Sequence, residues 1–437
     1  MVISDQQMQR LRIVKAKHES ELMRKANVVG VGIGFRRRKG QLTDEPSIVV
    51  SVTRKLPGSV VDPEDMIPRE LEGVPVDVQA VGKLQAFAGR LGEERGAMNT
   101  QQLAQAKQIK EGHTVDLLKK RNVLGVGLGY KISEGDNTGE LSLVVSVARK
   151  VPTSALTPQD LVPQTVDGIK TDVVETGILR ALWQSPQDLS PRDRWRPVVP
   201  PGVSIGHYRI TAGTFGCLVR RGEELFILSN NHVLANANDC EEWDPVLQPG
   251  PADGGTEDDR IARLARYVPI EFESGPSECS VADFAANLLN YVAGALGSRH
   301  QLQPVKRSAG VNRVDAALGK PLSPNTVTND ILGIGVPIGP GTAALGTQVQ
   351  KSGRTTGYTE GTITQIDATV RIDYYGPQAL FTGQLVASPM SQGGDSGSAI
   401  LDMDRRVVGL LFAGSDAVTI LNPIDEVLSA LEVELAL

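Results

Sequence analysis

A nine-residue stretch of this chain returns 95 positions later without a gap: Asn27-Val28-Val29-Gly30-Val31-Gly32-Ile33-Gly34-Phe35 overlies Asn122-Val123-Leu124-Gly125-Val126-Gly127-Leu128-Gly129-Tyr130. At the same offset Ser51-Val52-Thr53-Arg54-Lys55-Leu56-Pro57 falls on Ser146-Val147-Ala148-Arg149-Lys150-Val151-Pro152. Pro63, Pro68, Gly73, Asp77 and Gly82 fall on Pro158, Pro163, Gly168, Asp172 and Gly177. Upstream, His18 and Leu22 meet His113 and Leu117, so each copy opens on a short amphipathic helix. A strand (Val28 to Phe35), a hairpin, a second strand (Ser47 to Arg54), a Pro-punctuated connection and a third strand (Val74 to Val81) follow. The first half of the chain is therefore a pair of repeated small α+β modules, expected to share a pseudo-symmetric core.

Side chains alternate across a strand, which puts Val29, Val31, Ile33 and Phe35 on one face and Gly30, Gly32 and Gly34 on the other. A phosphate cradle needs its glycines in a turn between strand and helix, and these lie inside a strand that leads to another strand. The bare face implies close backbone packing against a helix or the sister copy. His18 and His113 have no Cys, Asp or His at ligand spacing and read as polar positions on a helix surface.

At 437 residues the chain exceeds one ordinary core. It divides into repeat unit 1 (1–85), a helical link rich in Ala, Gln and Gly (86–108), repeat unit 2 (109–183), a Pro-rich linker (184–201) and a C-terminal domain (202–437). The net charge of −6, with signs interspersed, excludes an electrostatic nucleic-acid binder, and Arg36-Arg37-Arg38-Lys39 reads as a solvated hairpin tip. Met1 to Gln7 lacks the basic and apolar regions of a secretory signal, and no stretch reaches the length of a membrane span, so the sequence reads as cytoplasmic with no membrane partner. Cys217, Cys240 and Cys279 match no zinc or redox spacing. No disulfide framework, metal or cofactor is expected, although a Cys217 to Cys240 pair stays open. The acidic loop from Asp239 to Asp259 lacks a calcium-loop pattern and reads as exposed surface. Arg354 fits a phosphate contact and a simple turn equally well.

The second half is a run of short β-like segments parted by Gly-containing turns, an all-β grammar. Leu225-Phe226-Ile227-Leu228-Ser229-Asn230-Asn231-His232 puts a histidine at the end of an apolar strand. Val314-Asp315-Ala316-Ala317-Leu318 puts an acid inside another, and Gln392-Gly393-Gly394-Asp395-Ser396-Gly397-Ser398 puts a serine in a glycine-rich turn. A serine hydroxyl is a poor nucleophile until an imidazole takes its proton, and that imidazole needs a carboxylate to hold its tautomer. Ser396, His232 and Asp315 are the candidates for these roles. Asp283, in Val281-Ala282-Asp283-Phe284-Ala285, competes for the third, but its surroundings read as a helical insertion. Glycines beside the serine leave room for the Gly394 and Ser396 amides to converge on an oxyanion.

The order His, Asp, Ser and the Gly394-Asp395-Ser396-Gly397 core resemble the chymotrypsin (trypsin-like) superfamily. Leu228-Ser229-Asn230-Asn231-His232-Val233-Leu234-Ala235-Asn236, Lys351-Ser352-Gly353-Arg354-Thr355-Thr356-Gly357 and Val408-Gly409-Leu410-Leu411-Phe412-Ala413-Gly414-Ser415 are similar to its bacterial branch akin to the plant Narrow leaf protein. The resemblance implies a double six-stranded barrel over 202–437 and a serine peptidase acting on protein or peptide substrates. It also implies a wall at Phe412-Ala413-Gly414 against which substrate backbone pairs as an added strand. Six residues before the nucleophile, where trypsins select Arg or Lys with an acid, stands Met390, which implies apolar or small side chains before the scissile bond. Val233 stands where secreted trypsins have a cysteine. No Ile-Val-Gly-Gly start follows the linker, so Asp395 is expected to find a donor other than a freed N-terminus. The repeats are then expected to regulate, recruit or form a homo-oligomer. Two alternatives are a peptidase-shaped binding protein and an enzyme that processes only itself.

Overall fold

Ser4 accepts the Gln7 amide with its side chain while the Gln7 side chain reaches back to the Ser4 amide, a reciprocal cap that starts α1 (Asp5–Leu22). The structure, a computed structural model, describes residues 3–38, 41–58, 60–86, 100–133, 136–151, 156–157, 159–175, 189–276, 286, 289–290, 305–307 and 310–437. Leu11, Val14 and Leu22 of α1 are buried against Val31, Ile33, Ile48 and Val50 of the antiparallel hairpin β1 (Val28–Arg38) and β2 (Gln41–Val52). Strand β2 pairs in parallel with β4 (Val74–Ala80), which carries β3 (Glu70–Leu71) at its outer edge, and β5 (Gln85–Ala86) follows. A register shift between Val28 and Gly30 alters the simple alternation: Val28 joins Val31 and Ile33 in this core, and Val29 packs on the opposite side with Val370 and Phe412.

Element for element, the second copy follows the first: α2 (Thr100–Leu118), β6 (Val123–Ser133), β7 (Asp136–Val147), β8 (Thr165–Val166) and β9 (Ile169–Glu175), with β6–β7 antiparallel and β7–β9 parallel. His18 bonds Glu72 at 3.1 Å and His113 bonds Asp167 at 2.8 Å, each tying its helix to the matching turn. The core of the second copy is built from its own Leu117, Val123, Val145 and Val147. Gln85–Ala86 is strand and α2 begins at Thr100, within the segment expected to link the units; residues 87–99 and 176–188 lie outside the described residues. The chain forms two compact units, one of Met1–Leu91 with Leu189–Leu437 and one of Gly92–Asp188.

From Leu189 onward the expected linker is built into the first of these units. Trp195 packs on the core, its amide donates to Gln248 Oε1 at 2.9 Å, and Val199 bridges to Val327. Side chains hold a stretch whose prolines lack amide donors. The rest of this unit is mostly β. Its strands are β10 (Ser204–His207), β11 (Gly213–Thr214), β12 (Cys217–Arg221), β13 (Glu224–Ser229), followed by the short helix α3 (Asn231–Leu234), then β14 (Pro245–Leu247) and β15 (Arg260–Tyr267). Next come a ribbon of β16 (Ser274–Pro276) and β17 (Val305–Arg307), then β18 (Ala317–Pro321), β19 (Gly339–Pro340), β20 (Gln348–Gly353) and β21 (Gly357–Asp373). Last are β22 (Gln378–Ala387), β23 (Ala399–Asp402), β24 (Arg406–Gly414), β25 (Thr419–Pro423), the amphipathic helix α4 (Ile424–Leu431) and β26 (Glu434–Leu435).

Strands β20-β23-β24-β25-β22-β21 follow one another and β21 pairs back with β20, so six strands close on themselves. The other sheet runs β11-β10-β14-β15-β18-β13-β12-β26, eight strands where a six-stranded barrel was expected. Strand β1 adds to the closed ring antiparallel to β21, with Gly30 opposite Val370 and Gly34 opposite Gln365. A Cβ on Gly32 would lie 2.7 Å from Gln365 Oε1, and one on Gly34 2.7 Å from the Thr364 carbonyl. The bare glycine face therefore receives the bulged middle of β21, rather than a helix or the sister copy. Among the described residues no helix is long and apolar enough to cross a membrane.

Candidate active site

His232 sits in α3, immediately beyond the apolar strand β13, and is 2% exposed. Its Nδ1 lies 2.5 Å from Asp315 Oδ2, and its amide donates to Oδ1 at 3.3 Å. Asp315 is wholly buried and lies just before β18, not within a strand as expected. Side chains replace a ladder there: the Asp315 amide donates to Asn422 Oδ1 at 3.0 Å, and its carbonyl accepts Asn230 Nδ2 at 2.7 Å. The Tyr374 hydroxyl also donates to Asp315 Oδ2, at 2.8 Å. With its Nδ1–H given to the carboxylate, the imidazole presents the Nε2 lone pair, and this buried atom has no hydrogen-bond partner among the described residues. Asp283 lies outside the described residues.

The serine turn is pressed onto the strand that precedes this histidine. Gly394 and Gly397 have φ of 99° and 93°, and a Cβ on Gly397 would fall 2.4 Å from the Thr214 carbonyl, so the sharp turn needs glycine at both places. Thr214 of β11 donates its amide to the Ser396 carbonyl at 2.7 Å and its hydroxyl to the Gly394 carbonyl at 2.9 Å. A Cβ on Gly213 would touch both Val233, next to His232, and the Ser396 carbonyl. The turn and the histidine therefore meet across one glycine. The Ser396 hydroxyl, wholly buried, donates to the Phe412 carbonyl at 3.1 Å, not to His232. The Gly394 and Ser396 amides donate to no described residue.

Asp395 has the alternative donor expected of it. Lys351 Nζ lies 3.3 Å from Asp395 Oδ2, both side chains wholly buried, and the Thr355, Thr356 and Gln392 amides all donate to the same carboxylate. Burial lowers the Lys351 pKa while the Asp395 charge works against that shift. A turn bonded this densely is preformed. The sequence motif contains Lys351 but points to no role for it, and Tyr374 lies outside every motif, although both carry a period-two signal: Lys351 shares a strand face with Val349, and Tyr374 continues the inward row Val370, Ile372.

The wall at Phe412-Ala413-Gly414 is already paired. Strand β5 lies antiparallel to it, Ala86 opposite Ala413 and Gln85 opposite Gly414, and the Leu84 carbonyl accepts the Asp373 amide at 2.9 Å. Met390 packs with Val349, Ile363, Leu385 and Ile400 inside the closed ring. Its position in that core differs from the expected floor of an open pocket.

The acidic loop is exposed at Asp239, Glu241, Glu242, Glu257 and Asp258, as expected, but not throughout. Asp259 is wholly buried beside Arg194 and Arg196, Asp253 takes Arg354 in a bidentate pair at 2.6 Å, and Asp244 bonds His207 at 2.9 Å. Arg354 thus spends its fork on a carboxylate. Cys217 and Cys240 are free thiols, and burial pushes the Cys217 pKa up to about 12. Among the described residues no group of three or more His, Cys, Asp or Glu is placed to hold a metal ion.

A family described as the NARROW LEAF 1 N-terminal domain matches residues 5–81, the first repeat copy, upstream of the motifs on which the sequence resemblance rested. Protein NARROW LEAF 1 of Oryza sativa subsp. japonica is 41% identical over 63 residues, 14% of this chain and 10% of that protein. Similar solved structures are serine proteases. Thermobifida fusca Protease A matches at 19% identity over 55% of this chain and 99% of its own, with a TM-score of 0.36. A glutamic acid specific serine protease matches at 19% over 55% and 100%, TM-score 0.35, and Nocardiopsis protease at 16% over 55% and 100%, TM-score 0.35.

Proposed function

We propose that this chain is a serine endopeptidase. Ser396 attacks the peptide carbonyl, His232 takes the hydroxyl proton and returns it to the leaving amine, and Asp315 orients and stabilises the imidazolium. The Gly394 and Ser396 amides hold the oxyanion, and water then hydrolyses the acyl-enzyme. The observation that carries this reading is the buried His232–Asp315 bond of 2.5 Å, which leaves an unpartnered Nε2 beside a preformed serine turn. The relay requires the Ser396 hydroxyl to leave the Phe412 carbonyl and bond Nε2. Substrates are protein or peptide segments; with Met390 packed inside the closed ring, that residue gives no ground for a side-chain preference before the scissile bond.

The first repeat copy acts as regulator. Its last strand, β5, occupies the edge of Phe412-Ala413-Gly414 that an extended substrate would need, and a tethered strand competes at high effective concentration. The test is covalent labelling by a fluorophosphonate probe, wild type against Ser396→Ala. Labelling that disappears in the variant supports the reading. A wild-type protein that stays unlabelled when β5 is loosened would overturn it in favour of a peptidase-shaped binding protein, which the filled edge and the Ser396–Phe412 bond would suit.

A further inference from the structure

We propose that Tyr374 is a positioning residue for the imidazole, holding the Asp315 carboxylate in the rotamer that orients His232; the proposal rests on the peptidase reading above. Asp315 Oδ2 takes two donors, His232 Nδ1–H at 2.5 Å and the Tyr374 hydroxyl at 2.8 Å. Among the described residues Oδ1 takes only the His232 amide, at 3.3 Å. A wholly buried carboxylate bonded to one imidazole alone would be poorly stabilised and free to turn about its χ2. Among the described residues Tyr374 is the one side-chain hydroxyl that bonds it.

The tyrosine is itself held rigidly. It is 8% exposed at the end of β21, its amide donates to the Pro377 carbonyl at 2.8 Å, and its ring meets Phe272, Phe381 and His232 at centroid distances of 5.5, 6.3 and 5.9 Å. The His232 contact is edge to face, at 77°. One side chain thus touches both the carboxylate and the imidazole, fixing the angle between them. The titratable groups facing its hydroxyl are Asp315 and His232. Burial, and then the Asp315 charge, hold the phenol well above its ordinary pKa, so it stays a hydrogen-bond donor at neutral pH.

The experiment is Tyr374→Phe in the full chain, which keeps the ring and removes only the hydroxyl. The expected result is a fall in kcat of ~10- to 100-fold with KM within about twofold, the size of one hydrogen bond to a charged group. The acid limb of the kcat/KM profile moves to higher pH, because a carboxylate that no longer shares its charge with the phenol favours the imidazolium more strongly. In an Asp315→Asn background, Tyr374→Phe should add little. Equal loss at every pH, or full additivity in that background, would mean a structural role only and overturn the proposal. A second readout does not need turnover: the downfield Nδ1 proton resonance of His232 should shift or broaden in Tyr374→Phe. A shifted resonance in a protein that the fluorophosphonate never labels would sink the peptidase reading and leave the positioning role standing. An unmoved resonance with intact labelling would do the reverse.

Discussion

Leu84→Ala should release the substrate edge. Leu84 is 2% exposed and belongs to the cluster of Phe412, Ala413, Tyr374 and Phe381, so its side chain anchors β5 onto the wall. Truncating a buried leucine to alanine costs about 2–5 kcal/mol. The strand is short, and its ladder to β24 consists of the two pairs Ala86–Ala413 and Gln85–Gly414, so the lost burial falls mainly on the closed form of this segment. At 1.4 kcal/mol per decade, even a ~2 kcal/mol loss raises the open population about 30-fold. Fluorophosphonate labelling under excess probe reports that population when reclosing outpaces reaction, so its rate should rise by ~10- to 30-fold. Leu11→Ala is the comparison, because Leu11 is buried at 4% in the α1 core of the same repeat copy, a cluster separate from the one that holds Leu84 and Ala86. It should lose similar stability in urea yet label at the wild-type rate. Equal acceleration in both variants, or none in Leu84→Ala, would refute the idea that β5 guards the site.

Lys351→Met should cost about 3–5 kcal/mol in urea unfolding, because it leaves the buried Asp395 charge without its cation, and probe labelling should fall with it as the serine turn loosens; an unchanged midpoint and full labelling would count against that account of the turn. Gly32→Ala and Gly127→Ala occupy equivalent repeat positions and should behave differently. The first drives a methyl to 2.7 Å from Gln365 Oε1 and should destabilise the protein in thermal melts by about 1–3 kcal/mol, whereas the second meets nothing within 4 Å and should stay within about 1 kcal/mol of wild type. Equal effects at the two sites would contradict the role given to β21.

The candidate site was legible where chemistry constrains residue type along a short stretch. A serine between glycines, a histidine after an apolar strand and an acid before another can be read directly, since a proton relay and an oxyanion pocket tolerate few substitutes. The roles of Tyr374 and Lys351 are not legible in this way, because these residues serve partners 59 and 44 residues away and look locally like ordinary strand residues. The buried part of the acidic loop is hidden from the sequence for a related reason. Carboxylates without nearby cations in sequence suggest solvent, and the arginines that bury Asp253 and Asp259 come from 101 and 65 residues away.

The repeat shows where local information ends. Alternation, capping and turn residues are properties of a few neighbouring positions, so nearly the same string builds the same helix, hairpin and parallel third strand twice. What covers a glycine edge is not such a property. In the first copy β21 fills it and β5 goes on to pair with β24, through contacts such as that of Ser415 with Val81, 334 residues apart. Contacts at that range depend on how whole sheets pack, and no window of sequence contains both partners.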